Sequence, residues 1–228
     1  MGSRHKLGEV ALGQISCGYG GNAVIITEPL RLAPKATSIL LGFNGSGKST
    51  FLKTLCGLIP PVSGGIPPFG SGLLPEDVDF AGDIRPMNIL RALCPSYPYA
   101  ETVVEQLEIP QQRMYKQLSK GNRQKFRIAL TEALAVVLQR EVLCLDEPLS
   151  GLDLRIRGVI IKAWEGEGAL GEAWSHYRGH RIISQHSGGT VSNATQTLVA
   201  WEGKLQVREA VQTCEDWPQA LGYMSHRP

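Results

Sequence analysis

The sequence predicts an α/β fold carrying a mostly α-helical insertion, and three observations predict it. The apolar run Ser38-Ile39-Leu40-Leu41 enters the glycine-rich stretch Gly42-Phe43-Asn44-Gly45-Ser46-Gly47-Lys48-Ser49-Thr50, and a helical run follows as far as Gly57. Two more short runs, at 141–145 and 181–184, end in polar residues: Asp146 and Glu147 after the first, Gln185 and His186 after the second. Between about 84 and 137 the pattern changes to helical segments punctuated by Pro95, Pro98 and Pro110. Short apolar runs bounded by turn residues are how buried strands look in sequence, and strands alternating with helical runs make an α/β core.

Taken in order, residues 9–19 alternate apolar positions at Val10, Leu12 and Ile15 and read as a strand that ends at the turn Gly18-Tyr19-Gly20-Gly21. Ala23-Val24-Ile25-Ile26 reads as a second strand, 29–34 as a connection, and 37–41 as the strand feeding the glycine loop. Residues 60–68 hold too many prolines and glycines for a helix. Gly72-Leu73-Leu74-Pro75 is a short buried strand with Glu76 at its end. Residues 87–93 and 101–107 are helical, and a longer helix follows Ser119, with Phe126, Leu130, Ala133 and Val137 on one face. Residues 155–164 continue as a helix, 166–171 as a flexible link, 197–201 and 204–207 as a hairpin about Glu202-Gly203, and 209–217 as a last helix.

Composition bounds the function. Hydrophobic residues make up 43% of 228, enough for a globular core. A net charge of +2, with charges scattered, does not build the basic field that nucleic acid needs, so no nucleic-acid partner is expected. The five cysteines are widely separated, without a C-x-x-C pair, and read as buried free thiols of a reducing compartment. No apolar run is long enough to span a membrane and no signal peptide opens the chain. A cytoplasmic protein follows, one that reaches a membrane only through a partner.

The chemistry begins at residues 42–50, which fit the phosphate-binding pattern G-x-x-x-x-G-K-[ST]. Glycines let successive backbone N–H groups turn inward on phosphate oxygens, Lys48 adds a point charge, and the Ser49 hydroxyl can ligand Mg²⁺. The helix that starts there adds its own attraction for anions. Asp146, at a strand end, can hold Mg²⁺ through water, and Glu147 can take a proton from an attacking water. Leu118-Ser119-Lys120-Gly121-Asn122-Arg123-Gln124 is a polar turn at a helix head: an anion site, or a helix cap made by Ser119. Ser150-Gly151-Leu152-Asp153 is a tight turn after the carboxylates, His186 can hold a γ-phosphate, and Tyr19 can stack on a purine.

In their order and spacing these stretches resemble the nucleotide-binding domain of ABC (ATP-binding cassette) transporters over nearly the whole chain. Residues 42–50 resemble the Walker A loop, 143–147 Walker B with its catalytic glutamate, 118–122 the LSGGQ signature, 150–153 the D-loop, His186 the H-loop histidine and Tyr19 the A-loop aromatic. The resemblance implies a P-loop NTPase core of the ABC type, with an N-terminal antiparallel β subdomain and the helical subdomain at about 84–137, all in one ATP-binding domain over 1–228. It implies ATP held by Tyr19, Gly42, Asn44, Gly45, Ser46, Gly47, Lys48, Ser49, Thr50, Ser119, Gly121 and Asp153. It also implies Mg²⁺ at Ser49, Asp146 and Glu76, and catalysis by Glu147, His186 and Lys48. Two departures stand out. The signature reads LSKGN, a variant similar to those of ABC-2 exporters, and Glu76 stands where the family usually has the Q-loop glutamine. The resemblance implies an ATPase that powers transport, in the export direction, through a separate transmembrane permease, paired with a second nucleotide-binding subunit. A soluble ABC ATPase, such as one in iron–sulfur assembly, shares the same motifs.

Overall fold

The strand β5 (Thr37–Gly42) is buried at all six positions, and the main sheet is built outward from it. In the computed structural model, which describes residues 8–75, 82–185 and 192–209, it pairs in parallel with β9 (Gln196–Trp201) on one side and β8 (His180–Gln185) on the other. Beyond β8 lie β7 (Val142–Leu145), also parallel, and β6 (Ser71–Leu74) at the edge. Beyond β9 the sheet continues with β10 (Lys204–Glu209), antiparallel to β9, then β3 (Asn22–Thr27), parallel to β10, and β2 (Ser16–Tyr19), antiparallel to β3. Of the N-terminal strands, β2 and β3 form an antiparallel flank of this eight-stranded sheet.

The described residues fall into two compact units. The first draws on Met1–Leu73, Arg140–Asp146 and Arg178–Pro228 and holds most of the sheet. The helix α1 (Lys48–Leu55) covers that sheet with Phe51, Leu52 and Leu55, all essentially without exposure. They meet Leu40, Val142, Cys144, Ile182, Leu198 and Ala200, the inward-facing alternate residues of four neighbouring strands. Each buried Phe, Leu, Ile or Val side chain among them contributes roughly 1.5–3 kcal/mol. The helix that follows the phosphate loop is thus seated on a fully buried apolar cluster.

The second unit draws on Leu74–Gln139 and Glu147–Tyr177 and is helical. It contains α2 (Pro86–Leu93), α3 (Ala100–Gln106), α4 (Lys120–Val137), α5 (Leu154–Trp164) and α6 (Gly168–Ser175). Tyr115 packs edge-on against Phe126 at 5.6 Å, and Trp164 stacks with Trp174 at 6.2 Å. Glu132, with no exposure at all, accepts a hydrogen bond from the Trp164 indole N–H at 2.9 Å. A buried carboxylate without such donors would cost several kcal/mol.

Three local readings change. The run 9–19 is two strands: β1 (Val10–Leu12) leaves the main sheet and pairs antiparallel with β4 (Leu30–Leu32). That second strand lies inside the expected connection 29–34, where Leu30 and Leu32 bury on either side of exposed Arg31. Three residues are too few for a period of two to register in sequence. The link 166–171 is the start of α6, whose Leu170, Ala173 and Trp174 are buried. Gly171 is there because a Cβ would come within 2.5 Å of the Gly166 carbonyl carbon, so close approach and not flexibility explains it. The expected helix at 209–217 lies outside the described residues.

Cys17, Cys94 and Cys144 are buried and Cys56 half-buried, all as free thiols. Burial pushes the Cys94 thiol up to about 11, so it is inert as a nucleophile. Among the described residues no helix is long and apolar enough to cross a membrane.

Candidate functional site

In the first unit, β5 ends at Gly42 and α1 begins at Lys48, so the phosphate loop bridges them in five residues. Ser46 N–H donates to the Phe43 carbonyl at 3.1 Å and closes a turn. Gly47 then takes φ +94, and a Cβ there would press on Ile25 at 3.0 Å, which only glycine avoids. Gly47 also caps α1 without a side chain, so no side-chain oxygen occupies the N–H groups of the first turn. Lys48 is 4% exposed. Its ammonium donates to the Gly42 carbonyl at 2.7 Å and to that of Phe43 at 3.0 Å, which anchors the charge within the loop. Ser49 is half-buried, and Thr50 gives its carbonyl to the Thr54 hydroxyl at 2.8 Å.

The parallel strands of the same unit bring Asp146 to the C-terminal end of β7, 2% exposed. The Ser184 hydroxyl, on neighbouring β8, donates to Asp146 Oδ1 at 2.7 Å. Ser184 fixes the carboxylate's orientation and was not singled out by the sequence reading. Strand alternation with the Leu145–Ile183 register would have pointed to it only once the β7–β8 pairing was known. Phe43 and Trp201, rings 5.5 Å apart, flank a cavity of about 250 Å³ along the loop at Asn44, Gly45 and Ser46. Tyr19 stands 52% exposed at the end of β2, opposite Asn22.

In the second unit, Glu147 adopts φ +46, the left-handed region that a glutamate rarely enters. Its carbonyl accepts from Ser150 N–H at 3.0 Å, which tightens the turn into 150–153. Asp153 is the N-cap of α5, with Oδ1 accepting from Ile156 N–H at 2.9 Å. That hydrogen bond holds its carboxyl below the usual range. Ser119 is the N-cap of α4 and accepts from Asn122 N–H at 3.3 Å, so the capping role is realised in the fold. Gly121 lies beside the Gly151 carbonyl, 3.5 Å from where its Cβ would be, and Gln124 donates to the Pro148 carbonyl at 2.8 Å. The signature turn and the turn after Glu147 are thereby held together within this unit. In the sequence Gln124 stands only as the last residue of the polar turn 118–124.

Glu76 and His186 lie outside the described residues. The rest fits a Mg-nucleotide. The buried Ser46 hydroxyl, beside Gly42 at the base of the loop, has no hydrogen-bond partner. A buried orphan of this kind is the mark of a site that expects a polar ligand. A buried lysine, uncapped helix N–H groups and a buried oriented carboxylate are the donors and the acceptor that a metal-bound triphosphate requires.

The family model described as ABC transporter matches residues 29–150. The zinc import ATP-binding protein ZnuC of Yersinia pestis bv. Antiqua (strain Antiqua) is 34% identical over 155 residues, covering 64% of this chain and 59% of that protein. The chain thus spans less than two thirds of that relative's length. An uncharacterized ABC transporter ATP-binding protein of Haemophilus influenzae (strain ATCC 51907 / DSM 11121 / KW20 / Rd) is 30% identical over 189 residues, 67% of each chain. Among solved structures, an inward-facing putative metal-chelate type ABC transporter superposes with a TM-score of 0.69 at 21% identity, over 94% of this chain and 89% of that one. The expectation of export finds no support in these relatives, of which one is named for import.

Proposed function

The chain belongs to the ABC transporter family of ATP-binding domains, and from that premise we propose that it is the ATP-hydrolysing subunit of a transporter whose membrane-spanning part is a separate permease. One observation carries the reading most. The loop with buried Lys48 and the oriented carboxylate of Asp146 sit at the C-terminal ends of strands in one parallel sheet, where α/β folds bind ligands. In this reading the loop N–H groups and Lys48 bind the β- and γ-phosphates, and Gly42, Asn44, Gly45, Ser46, Gly47 and Thr50 shape the cradle. Tyr19 stacks on the base. Ser49, Asp146 and Glu76 hold Mg²⁺, which neutralises phosphate charge when bound. Glu147 accepts the proton of the attacking water and His186 orients the γ-phosphate.

Ser119 and Gly121 reach the γ-phosphate of a second nucleotide-binding subunit, and Asp153 lies at the same junction. Each phosphate loop is then half a site, and ATP favours the closed pair by contacts that exist only in it. The chain acts at the inner face of the cell membrane through the permease. The proposal is for transport without a direction: the LSKGN variant suggests export, whereas the 34% relative is named for import. The test is Mg-ATP hydrolysis by the purified chain, alone and with its permease, against Lys48→Ala. Turnover abolished by Lys48→Ala is expected. No turnover by the wild type in either setting sinks the proposal.

A further inference from the structure

The second unit contains a chain of polar contacts that the proposed mechanism does not use. On α4, Arg127 donates through Nη2 to the Pro75 carbonyl and through Nη1 to Gln124 Oε1 at 3.2 Å. Gln124 in turn donates through Nε2 to the Pro148 carbonyl at 2.8 Å. The Thr131 hydroxyl ties the next turn of the helix to the Arg127 carbonyl at 2.8 Å. Two side chains, one helical turn apart, therefore grip two stretches of backbone that lie 73 residues apart in sequence (148 − 75).

The two gripped residues share a property. Pro75 immediately precedes Glu76, and Pro148 immediately follows Glu147. A proline has no backbone N–H, so it joins a network only as an acceptor, and a donor from elsewhere must hold it. Arg127 and Gln124 are those donors. A guanidinium bond to a carbonyl is charge-assisted and about twice as strong as a neutral one. Arginine also offers its N–H groups in a rigid fork, which suits holding a carbonyl and an amide oxygen at once. Gln124 is buried, so its bond to Pro148 is sheltered from competing water. The head of the same helix is the Ser119 cap and the signature turn.

We infer that Arg127 is a positioning residue: through the Pro75 carbonyl and through Gln124 it ties the backbone beside Glu76 and beside Glu147 to the helix that carries the signature. A displacement of the signature turn then moves the mounts of both carboxylates together. This rests on the ATPase reading above for its consequence in turnover, but not for the clamp itself.

The test compares wild type, Arg127→Met and Arg127→Lys in the full chain, with the permease present for turnover. Methionine keeps the apolar stem and removes every donor; lysine keeps the charge and can hold one acceptor. Amide exchange without nucleotide is expected to speed up in Arg127→Met within the peptides holding Leu74-Pro75 and Pro148-Leu149, and not within β5. For turnover, kcat falls about tenfold or more while KM for ATP stays within about twofold, with lysine recovering part of the loss. Unchanged exchange in both peptides overturns the clamp, whether or not the wild type hydrolyses ATP. Faster exchange with unaltered kcat overturns the link to turnover. A kcat loss that follows the loss of thermal midpoint equally in both variants shows plain fold support and also overturns it. A wild type without ATPase activity removes the function proposed above and leaves the clamp to be decided by exchange.

Discussion

Acidification is predicted to destabilise the first unit through a single imidazole. His180, at the start of β8, is buried, and its Nδ1–H donates to the Ala33 carbonyl at 2.8 Å. Gln196 donates to the Ser38 hydroxyl oxygen at 2.7 Å, so the Ser38 proton points onward to His180 Nε2 at 2.6 Å. The network is complete with a neutral ring, and a proton on Nε2 would confront the Ser38 proton. Burial, opposed by the Ala33 hydrogen bond and helped by the Arg181 charge, pushes the His180 pKa down to about 4. The ordinary value is near 6.5. The folded pKa is depressed, so the unfolded chain takes up the proton first as pH falls. The stability from His180 is whole above about pH 6.5 and is lost between there and about pH 4. Linkage gives a loss of about 2 kcal/mol at about pH 5 and about 3 kcal/mol at about pH 4. The assay is urea unfolding by tryptophan fluorescence at about pH 7.5 and about pH 5, for wild type and His180→Gln, which cannot titrate. Wild type should lose about 2 kcal/mol more than the variant. Equal losses, or an imidazole that titrates near its ordinary pKa by NMR, would refute the reasoning.

Other outcomes follow from the same contacts. Glu147→Gln should retain ATP binding and accumulate an ATP-bound dimer on gel filtration; a variant that stays monomeric and hydrolyses ATP removes Glu147 from its role. Ser184→Ala removes the donor to Asp146, so half-maximal turnover should need about tenfold more Mg²⁺, with ATP affinity in metal-free buffer unchanged. His186→Ala should lose most turnover while keeping ATP affinity, measured by equilibrium binding. Trp164→Phe removes an indole donor to the fully buried Glu132 and should lower unfolding free energy by roughly 1–3 kcal/mol in urea titration.

The features legible in the sequence are those set by neighbours along the chain. The phosphate loop needs glycines where φ is positive and a lysine at the head of a helix, and the observed φ of +94 at Gly47 and the start of α1 at Lys48 express that local demand. Ser119 at the head of α4 was readable as a cap for the same reason. β4 and α6 were not, because each is held by partners remote in sequence or by close packing at Gly171. Ser184 at Asp146, and Arg127 between Pro75 and Gln124, were equally hidden.

The sequence by itself determined the α/β class and the nucleotide loop, because these depend on backbone conformation and periodicity within a few residues, and it carried the family resemblance in the order of its motifs from Tyr19 to His186. Only the tertiary structure decided how the antiparallel strands join the parallel sheet. Only it decided which hydroxyl steadies Asp146, and which donors hold the backbone beside Glu76 and Glu147. Those are hydrogen bonds between residues 24 to 52 positions apart, and such pairs are selected by packing, not by local pattern.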